Sequence, residues 1–154
     1  NIYDAAVRTD NEVLDTILTE KSLLCARDGI SLTCMVDGHS LDFMTAADVY
    51  SLFGNALENA MDAVMRLDEQ KRNISVAVHK VGDMVSVNIT NQFDGNVELD
   101  ADGLPVTKKD DRDFHGIGIK SIRNIAEKYD GICSVSTENN KFVLNVLMSC
   151  LTNK

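Results

Sequence analysis

The sequence predicts an α+β fold, an α/β sandwich in which helices pack on one face of a mixed, mostly antiparallel sheet. Three segments place apolar residues at helical spacing, and five short segments carry the apolar runs or alternation typical of strands. Four of those strands follow one another in pairs across short turns, so they form hairpins. Hairpins do not make a regular βαβ series, and the pattern therefore favours two layers over a doubly wound parallel sheet.

The first half of the chain contains a helix, a strand and a second helix. Apolar residues recur at helical spacing over residues 12–28, and Asp28-Gly29 is a C-terminal stop signal. Residues 30–36, ISLTCMV, are typical of a strand. The second helix is expected to begin at Thr45, where Thr45 and Asp48 fit a capping box, and to run to residue 66.

The second half contains two hairpins separated by a long loop and a third helix. The first hairpin joins residues 74–80 to 84–91 across Gly82-Asp83, and the second joins 132–138 to 141–148 across Asn139-Asn140. Between them, residues 92–115 show no clear periodicity, and a loop of this length is usually functional or disordered. Residues 116–131 carry the third helical pattern, which ends at Asp130-Gly131.

Composition indicates one globular domain, which we place at residues 11–154 after a linker or disordered segment at 1–10. The formal net charge of −9 argues against a nucleic-acid partner and against direct contact with an anionic membrane surface. No apolar run approaches the about 20 residues of a membrane span. The four cysteines form no CxxC pair, which favours buried thiols in a reducing cytosol over disulfides or zinc.

The second helix carries an unusual polar stripe. On a helical wheel one face holds, in order, Asn55, Glu58, Asn59, Asp62 and Arg66. A solvated helix face explains the charged members, but asparagine is a mediocre helix former and needs another reason. Two carboxamides four residues apart point the same way, and they offer oxygens to Mg²⁺ and NH₂ groups to phosphates without adding charge.

A glycine pair precedes the third helix in the stretch HGIGIKS, His115 to Ser121. Gly116 and Gly118 could expose backbone amides to an anion at the positive end of the helix, with Lys120 and Arg123 adding charge nearby. The alternative is that the glycines only end the loop. The stretch is neither a dinucleotide fingerprint, which needs a strand before it and a third glycine, nor a phosphate-binding GxxxxGK loop.

The combination of NALENA on a helix, a strand ending at Asn91, a long loop and GIGIKS at a helix start resembles a known superfamily. It is the ATP-binding superfamily of gyrase, heat-shock chaperones, histidine kinases and mismatch-repair ATPases. The greatest similarity is to the catalytic domain of sensor histidine kinases, particularly the subgroup that senses peptide pheromones. The resemblance covers residues 11–148 and implies a Bergerat-type ATP-binding fold in which residues 94–115 are the long ATP lid.

The resemblance implies ATP and Mg²⁺ as ligands and assigns them eight contact residues: Asn55, Asn59, Asp62, Asn91, His115, Gly116, Gly118 and Lys120. Asn55 and Asn59 match the N box that holds Mg²⁺ and the phosphates, and Asp62 would hold water or sugar. Gly116 and Gly118 match the second glycine box, beside which His115 would touch nucleotide or lid. Asn55 and Lys120 are the expected catalytic residues.

Two departures from the family pattern bear on function. Asn91 stands where an aspartate normally accepts from the adenine amino group, and NQFDG replaces the usual D-x-G-x-G box. The uncharged amide should make a weaker contact with adenine than a carboxylate would. Asn55 stands where the hydrolytic members carry a glutamate, and because an amide cannot activate water, this favours phosphoryl transfer over hydrolysis.

The resemblance therefore implies the catalytic domain of a two-component sensor histidine kinase. It would transfer the γ-phosphoryl group of Mg·ATP to a histidine on a separate dimerisation domain, because His39, His79 and His115 lack the family's phosphoacceptor context. The implied partners are the phosphoacceptor and dimerisation helices of the parent kinase and, indirectly, a response regulator, in the cytoplasm below a membrane-bound sensor. The alternatives are a non-catalytic nucleotide-sensing or partner-docking domain and a serine kinase of the anti-sigma-factor type.

Overall fold

A computed structural model describes residues 8–95, 97, 99–105 and 117–151. Its helices are α1 (Glu12–Arg27), α2 (Ala46–Val64) and α3 (Ile117–Lys128), and its strands are β1 (Ser31–Val36), β2 (Asn73–Val81), β3 (Met84–Gln92), β4 (Ile132–Glu138) and β5 (Lys141–Ser149). Short 3₁₀ turns lie at Gly38–Leu41 and Glu69–Lys71. The sheet order is β1-β2-β3-β5-β4.

The predicted fold class is confirmed. β1 pairs with β2 in parallel, and the remaining neighbours pair antiparallel, so the sheet is mixed and mostly antiparallel. The helices lie on one face, with α1 against β1, α2 against β2 and β3, and α3 against β4 and β5. Alternate residues of the strands are buried under this layer, as a half-covered sheet requires.

The second helix is the central element of the helical layer. Its N-cap is Thr45, whose hydroxyl oxygen accepts from the Asp48 backbone N–H at 3.2 Å. Its apolar face is buried in the core through Val49, Leu52, Phe53, Ala56, Leu57, Ala60 and Val64. The helix stops before the predicted end at Arg66, because the Arg66 N–H bonds to the Ala63 carbonyl and tightens the last turn.

Both predicted hairpins are present, and turn chemistry sets their registers. Gly82 has φ +60° between β2 and β3, and Asn139 and Asn140 have φ 52° and 60° between β4 and β5. The turn between β4 and β5 thus has the two positive-φ residues that a two-residue type I′ turn needs, and asparagine tolerates that conformation. The first hairpin pairs Asn91 with Ile74, and β5 pairs Asn91 with Phe142 from the other side.

The segment before α1 is packed where it is described. Thr9 is 9% exposed, its hydroxyl donates to the Asp15 carboxylate at 2.7 Å, and its carbonyl accepts from the Gly38 N–H at 3.0 Å. Residues 1–7 of the predicted linker lie outside the described residues. Among the helices that the structure describes, none has the length and apolar character that crossing a membrane requires.

Candidate functional site

The candidate site lies where α2 meets the first turn of α3. Asn55 is half-buried, and its side-chain NH₂ donates to the Ser51 hydroxyl oxygen at 3.2 Å. Gly118 lies beside it, since a Cβ placed on Gly118 would stand 3.7 Å from both Cβ and Oδ1 of Asn55. The absence of a side chain at Gly118 therefore leaves space next to the Asn55 carboxamide oxygen.

The polar stripe of α2 extends away from this point. Asn59 and Asp62 are half-buried and Glu58 is exposed, opposite the buried face of the helix, and the exposed Arg66 follows the end of α2. The predicted division of α2 into an apolar and a polar face is thereby confirmed. Asn55 and Asn59 are one turn apart on a regular helix, so their carboxamides lie on the same face.

The first turn of α3 supplies a positive helix end. Lys120 is exposed in this turn, and Gly118 is buried. The charge of Arg123, which the sequence suggested would add to an anion site, is paired with the Asp102 carboxylate at 3.0 Å. His115 and Gly116 lie outside the described residues.

Asn91 lies near the end of β3 with its side chain on the helix-facing side of the sheet. It is 2% exposed between Ile74 and Phe142, and its NH₂ group donates to the Gln92 carbonyl at 2.9 Å. This bond fixes the orientation of the amide, in which Oδ1 is the acceptor. The structure thus holds a buried amide at the position where the resemblance expects contact with adenine.

Part of the long loop has local structure that periodicity did not predict. Asp100 Oδ1 accepts from the backbone N–H groups of Asp102 at 2.8 Å and Leu104 at 3.0 Å, and Leu104 is 3% exposed and joins the core. The available signal was Asp100 followed by Gly103, which fits the first and fourth positions of a type I turn. Of the predicted lid, residues 94–115, the structure describes residues 94, 95, 97 and 99–105.

Comparison with protein families decides the assignment. Residues 44–149 match the family model of the GHKL domain. The chain belongs to the GHKL domain family. The matched range contains the asparagine stripe of α2, the end of β3 and the two glycines, Gly116 and Gly118, at the start of α3. A sequence comparison with curated proteins gives no match.

Solved structures similar to this GHKL domain include three histidine kinases. The nucleotide-free catalytic domain of ThkA superposes with a TM-score of 0.69 at 16% identity, covering 92% of this chain and 93% of that one. The kinase domain of the blue-light activated histidine kinase EL346 from Erythrobacter litoralis has a TM-score of 0.62 at 10% identity, covering 92% and 66%. The histidine kinase AdeS from Acinetobacter baumannii has 0.55 at 11%, covering 98% and 73%.

These superpositions show the fold of this GHKL ATP-binding domain and its likeness to histidine kinase catalytic domains. The described geometry brings Asn55 and Gly118 into contact range and places Asn59 on the same helix face. It leaves Lys120 exposed at the helix start and Asn91 buried at the end of β3.

Proposed function

We propose that this GHKL domain is the catalytic domain of a protein-histidine kinase. It binds Mg·ATP and transfers the γ-phosphoryl group to a histidine on a separate domain. The observation that carries the proposal is the approach of Gly118 to Asn55, which joins a neutral amide on α2 to the N-terminus of α3. A site of this kind can hold an anion through backbone amides and the helix end, and it offers a hard cation an uncharged oxygen.

The donor groups fit a magnesium nucleotide. Asn55 and Asn59 present amide oxygens, which are ligands that Mg²⁺ accepts together with phosphate oxygens. Mg²⁺ supplies neutralisation of phosphate charge during transfer. The exposed ammonium group of Lys120 and the first turn of α3 orient the phosphates. Neutral amides suit this task in a chain of net charge −9, because a row of carboxylates would repel the triphosphate.

Asn91 is the proposed contact to the base. Its Oδ1 accepts a hydrogen bond, so it favours a base edge that carries an amino donor, such as adenine, over one that carries a carbonyl. The contact lacks the charge of a carboxylate and is expected to be correspondingly weaker. Discrimination against guanine arises because a carbonyl facing Oδ1 would leave both acceptors unpaired.

The same residues favour transfer over hydrolysis. Asn55 stands at the start of the polar stripe and cannot act as a base towards water. Catalysis by this chain would consist of positioning and charge stabilisation, with the nucleophile brought by another domain. Of the histidines in the described part of the chain, His39 lies in a 3₁₀ turn and His79 on the exposed face of β2, and neither lies in an α-helix. The partner would be the phosphoacceptor and dimerisation helices of the parent kinase in the cytoplasm.

Titration calorimetry with Mg·ADP and Mg·ATP tests the binding step. Wild-type protein should bind both, and Asn59→Ala should weaken binding at least tenfold because it removes a proposed ligand oxygen. Asn124→Ala is the matched control, since Asn124 is an exposed asparagine on α3 away from the stripe. No heat of binding at millimolar nucleotide, or equal affinity for Asn59→Ala and Asn124→Ala, would refute the proposal.

The chemical stability of the product tests the transfer step. With labelled ATP and the phosphoacceptor domain of the parent kinase, label should appear on histidine, whose N–P bond is labile in acid and stable in alkali. Acid-stable label on a partner serine would instead support the anti-sigma-factor type of kinase. Nucleotide binding without any transfer would support a nucleotide-sensing domain.

A further inference from the structure

Tyr129, which directly follows α3, joins the end of that helix to the beginning of α2. Its side chain is fully buried, and Phe43 packs edge-on against its ring with centroids 5.3 Å apart. Its hydroxyl donates to the Asp48 carboxylate and accepts from the Thr45 N–H at 3.1 Å. The hydroxyl is therefore bound to both ends of the first turn of α2.

This hydroxyl occupies one half of the predicted capping box. In a capping box the side chain of the fourth residue would accept directly from the N-cap N–H. Here the Thr45 hydroxyl does accept from Asp48 N–H, but the return bond runs from Thr45 N–H to Tyr129 and from Tyr129 to Asp48. The start of α2 thus depends on a residue at the far end of α3.

Lys128 adds a second bond at the same place. Its ammonium group lies 2.8 Å from Asp48 Oδ2, and the Asp48 side chain is only 14% exposed. Burial raises the pKa of the Asp48 carboxyl, but hydrogen bonds from Lys128, Tyr129 and Thr45 outweigh burial and bring the pKa below its ordinary value. The carboxylate is therefore charged and multiply bonded at neutral pH.

The latch, meaning Tyr129, Asp48 and Thr45, joins the end of α3 to the start of α2, and the Asn55–Gly118 approach lies further along the same pair of packed helices. Asn55 is about 10 Å along α2 from Asp48, and Gly118 is about 16 Å along α3 from Tyr129. With that lever arm, a tilt of α3 by about 5° at the latch would displace Gly118 by about 1.4 Å. Such a displacement is large against the 3.7 Å spacing between Asn55 and a Cβ on Gly118.

We propose that Tyr129 and Asp48 are positioning residues of the nucleotide site, which set the position of Gly118 relative to Asn55 by fixing α3 against the start of α2. The role in nucleotide binding rests on the proposed function. Neither residue is placed in contact with nucleotide, because both lie at the opposite end of the helix pair from the Gly118 contact. Loss of the latch should weaken binding even when the protein remains folded.

Tyr129→Phe is the main test, because it removes the hydroxyl and keeps the ring. We expect Mg·ADP to bind five- to tenfold more weakly, measured well below the unfolding transition. The stability control is Leu32→Ala, which truncates a partly buried side chain on β1, at the opposite edge of the sheet from α3. It should lower the unfolding temperature without changing affinity. Unchanged affinity for Tyr129→Phe, or an equal loss for both variants, would overturn the proposal.

Two variants of Asp48 test whether the acceptor matters. Asp48→Ala should match the loss of affinity in Tyr129→Phe. Asp48→Asn keeps an oxygen that can accept from Tyr129, so it should recover most of the affinity that Asp48→Ala loses. If Asp48→Asn is as weak as Asp48→Ala, the hydrogen bond to Tyr129 is not the positioning element and the proposal fails.

A measurement without nucleotide separates failure of this proposal from failure of the proposed function. In amide NMR spectra of the free protein, Tyr129→Phe should shift the signals of the Gly118 backbone amide and the Asn55 side-chain NH₂. Leu32→Ala should leave both signals in place. If wild-type protein binds no nucleotide, the proposed function fails, but shifts at Gly118 and Asn55 still support positioning. Signals unmoved by Tyr129→Phe contradict it whatever the titration shows.

Discussion

Gly118→Ala should separate folding from nucleotide binding. The added methyl group would stand 3.7 Å from Cβ and Oδ1 of Asn55, which is an ordinary van der Waals distance, so the free protein has room for it. Alanine is favoured over glycine within a helix by about 0.5–1 kcal/mol, and the gain is smaller in a first turn. We therefore expect the free energy of unfolding to stay equal or to rise slightly.

Binding should respond in the opposite direction. In the proposed complex Asn55 would hold the metal ion through its amide oxygen, and phosphate oxygens would fill the neighbouring space. The methyl group takes up that space and keeps phosphate away from the helix end. We expect affinity for Mg·ADP to fall at least tenfold, or about 1.4 kcal/mol.

Urea unfolding and calorimetric titration on the same samples measure the two effects. Gly54→Ala is the matched control, because Gly54 lies in α2 and its added methyl group would meet Ile17 Cδ1 at 3.8 Å, away from the polar stripe. Gly54→Ala should be equally stable or more stable and should bind normally. Wild-type affinity in Gly118→Ala would refute the placement of phosphates beside Gly118, and a large loss of stability would refute the spacing.

Three further predictions concern stability and reactivity. Gly131→Ala should cost at least about 2–3 kcal/mol in urea unfolding, because its Cβ would lie 2.0 Å from the Leu147 carbonyl oxygen; a neutral effect would contradict that approach. Burial, with the nearby Asp28 charge, raises the pKa of Cys25 to about 11. Iodoacetamide at pH 8 should therefore modify Cys25 about 100-fold more slowly in the folded protein than in protein unfolded by urea. Equal rates would argue against burial of the thiol. The pKa of the Asp48 carboxyl is lowered in the folded protein, so its stabilising effect is present above the ordinary value of 3.8 and is lost as the pH falls through the folded pKa. The difference in free energy of unfolding between wild type and Asp48→Ala should therefore narrow from pH 5 to pH 3. A constant difference would count against the lowered pKa.

The sequence was sufficient for the elements whose signals are local. The β4–β5 hairpin was predictable because two positive-φ asparagines follow an alternating run. The apolar face of α2 followed from helical periodicity, and the N-cap at Thr45 from its hydroxyl and Asp48. Each of these signals lies within a few residues of the structure that it specifies.

Most of the features that the sequence did not reveal depend on distant pairs. The third helical pattern extends over Tyr129, but nothing in the chain indicates that its hydroxyl completes a cap 81 residues away. Leu104 lies in a stretch without periodicity, so the sequence did not mark it as a member of the core that it joins in the folded chain. Arg123 could not be assigned between a phosphate and Asp102, because a charge alone does not identify its partner.

The two faces of α2 would let one helix serve both folding and the proposed nucleotide binding. Leu52, Phe53 and Leu57 are fully buried, and truncating any of them should cost about 2–5 kcal/mol. Asn59, on the half-exposed face, is expected to contribute little to folding, so changes there alter binding alone. The two faces are connected through the placement of α2, because the proposed phosphate site requires α2 and α3 to keep their relative position. A contact such as that of Asp48 with the end of α3 therefore affects both stability and binding, and only an affinity measured on fully folded protein distinguishes its two effects.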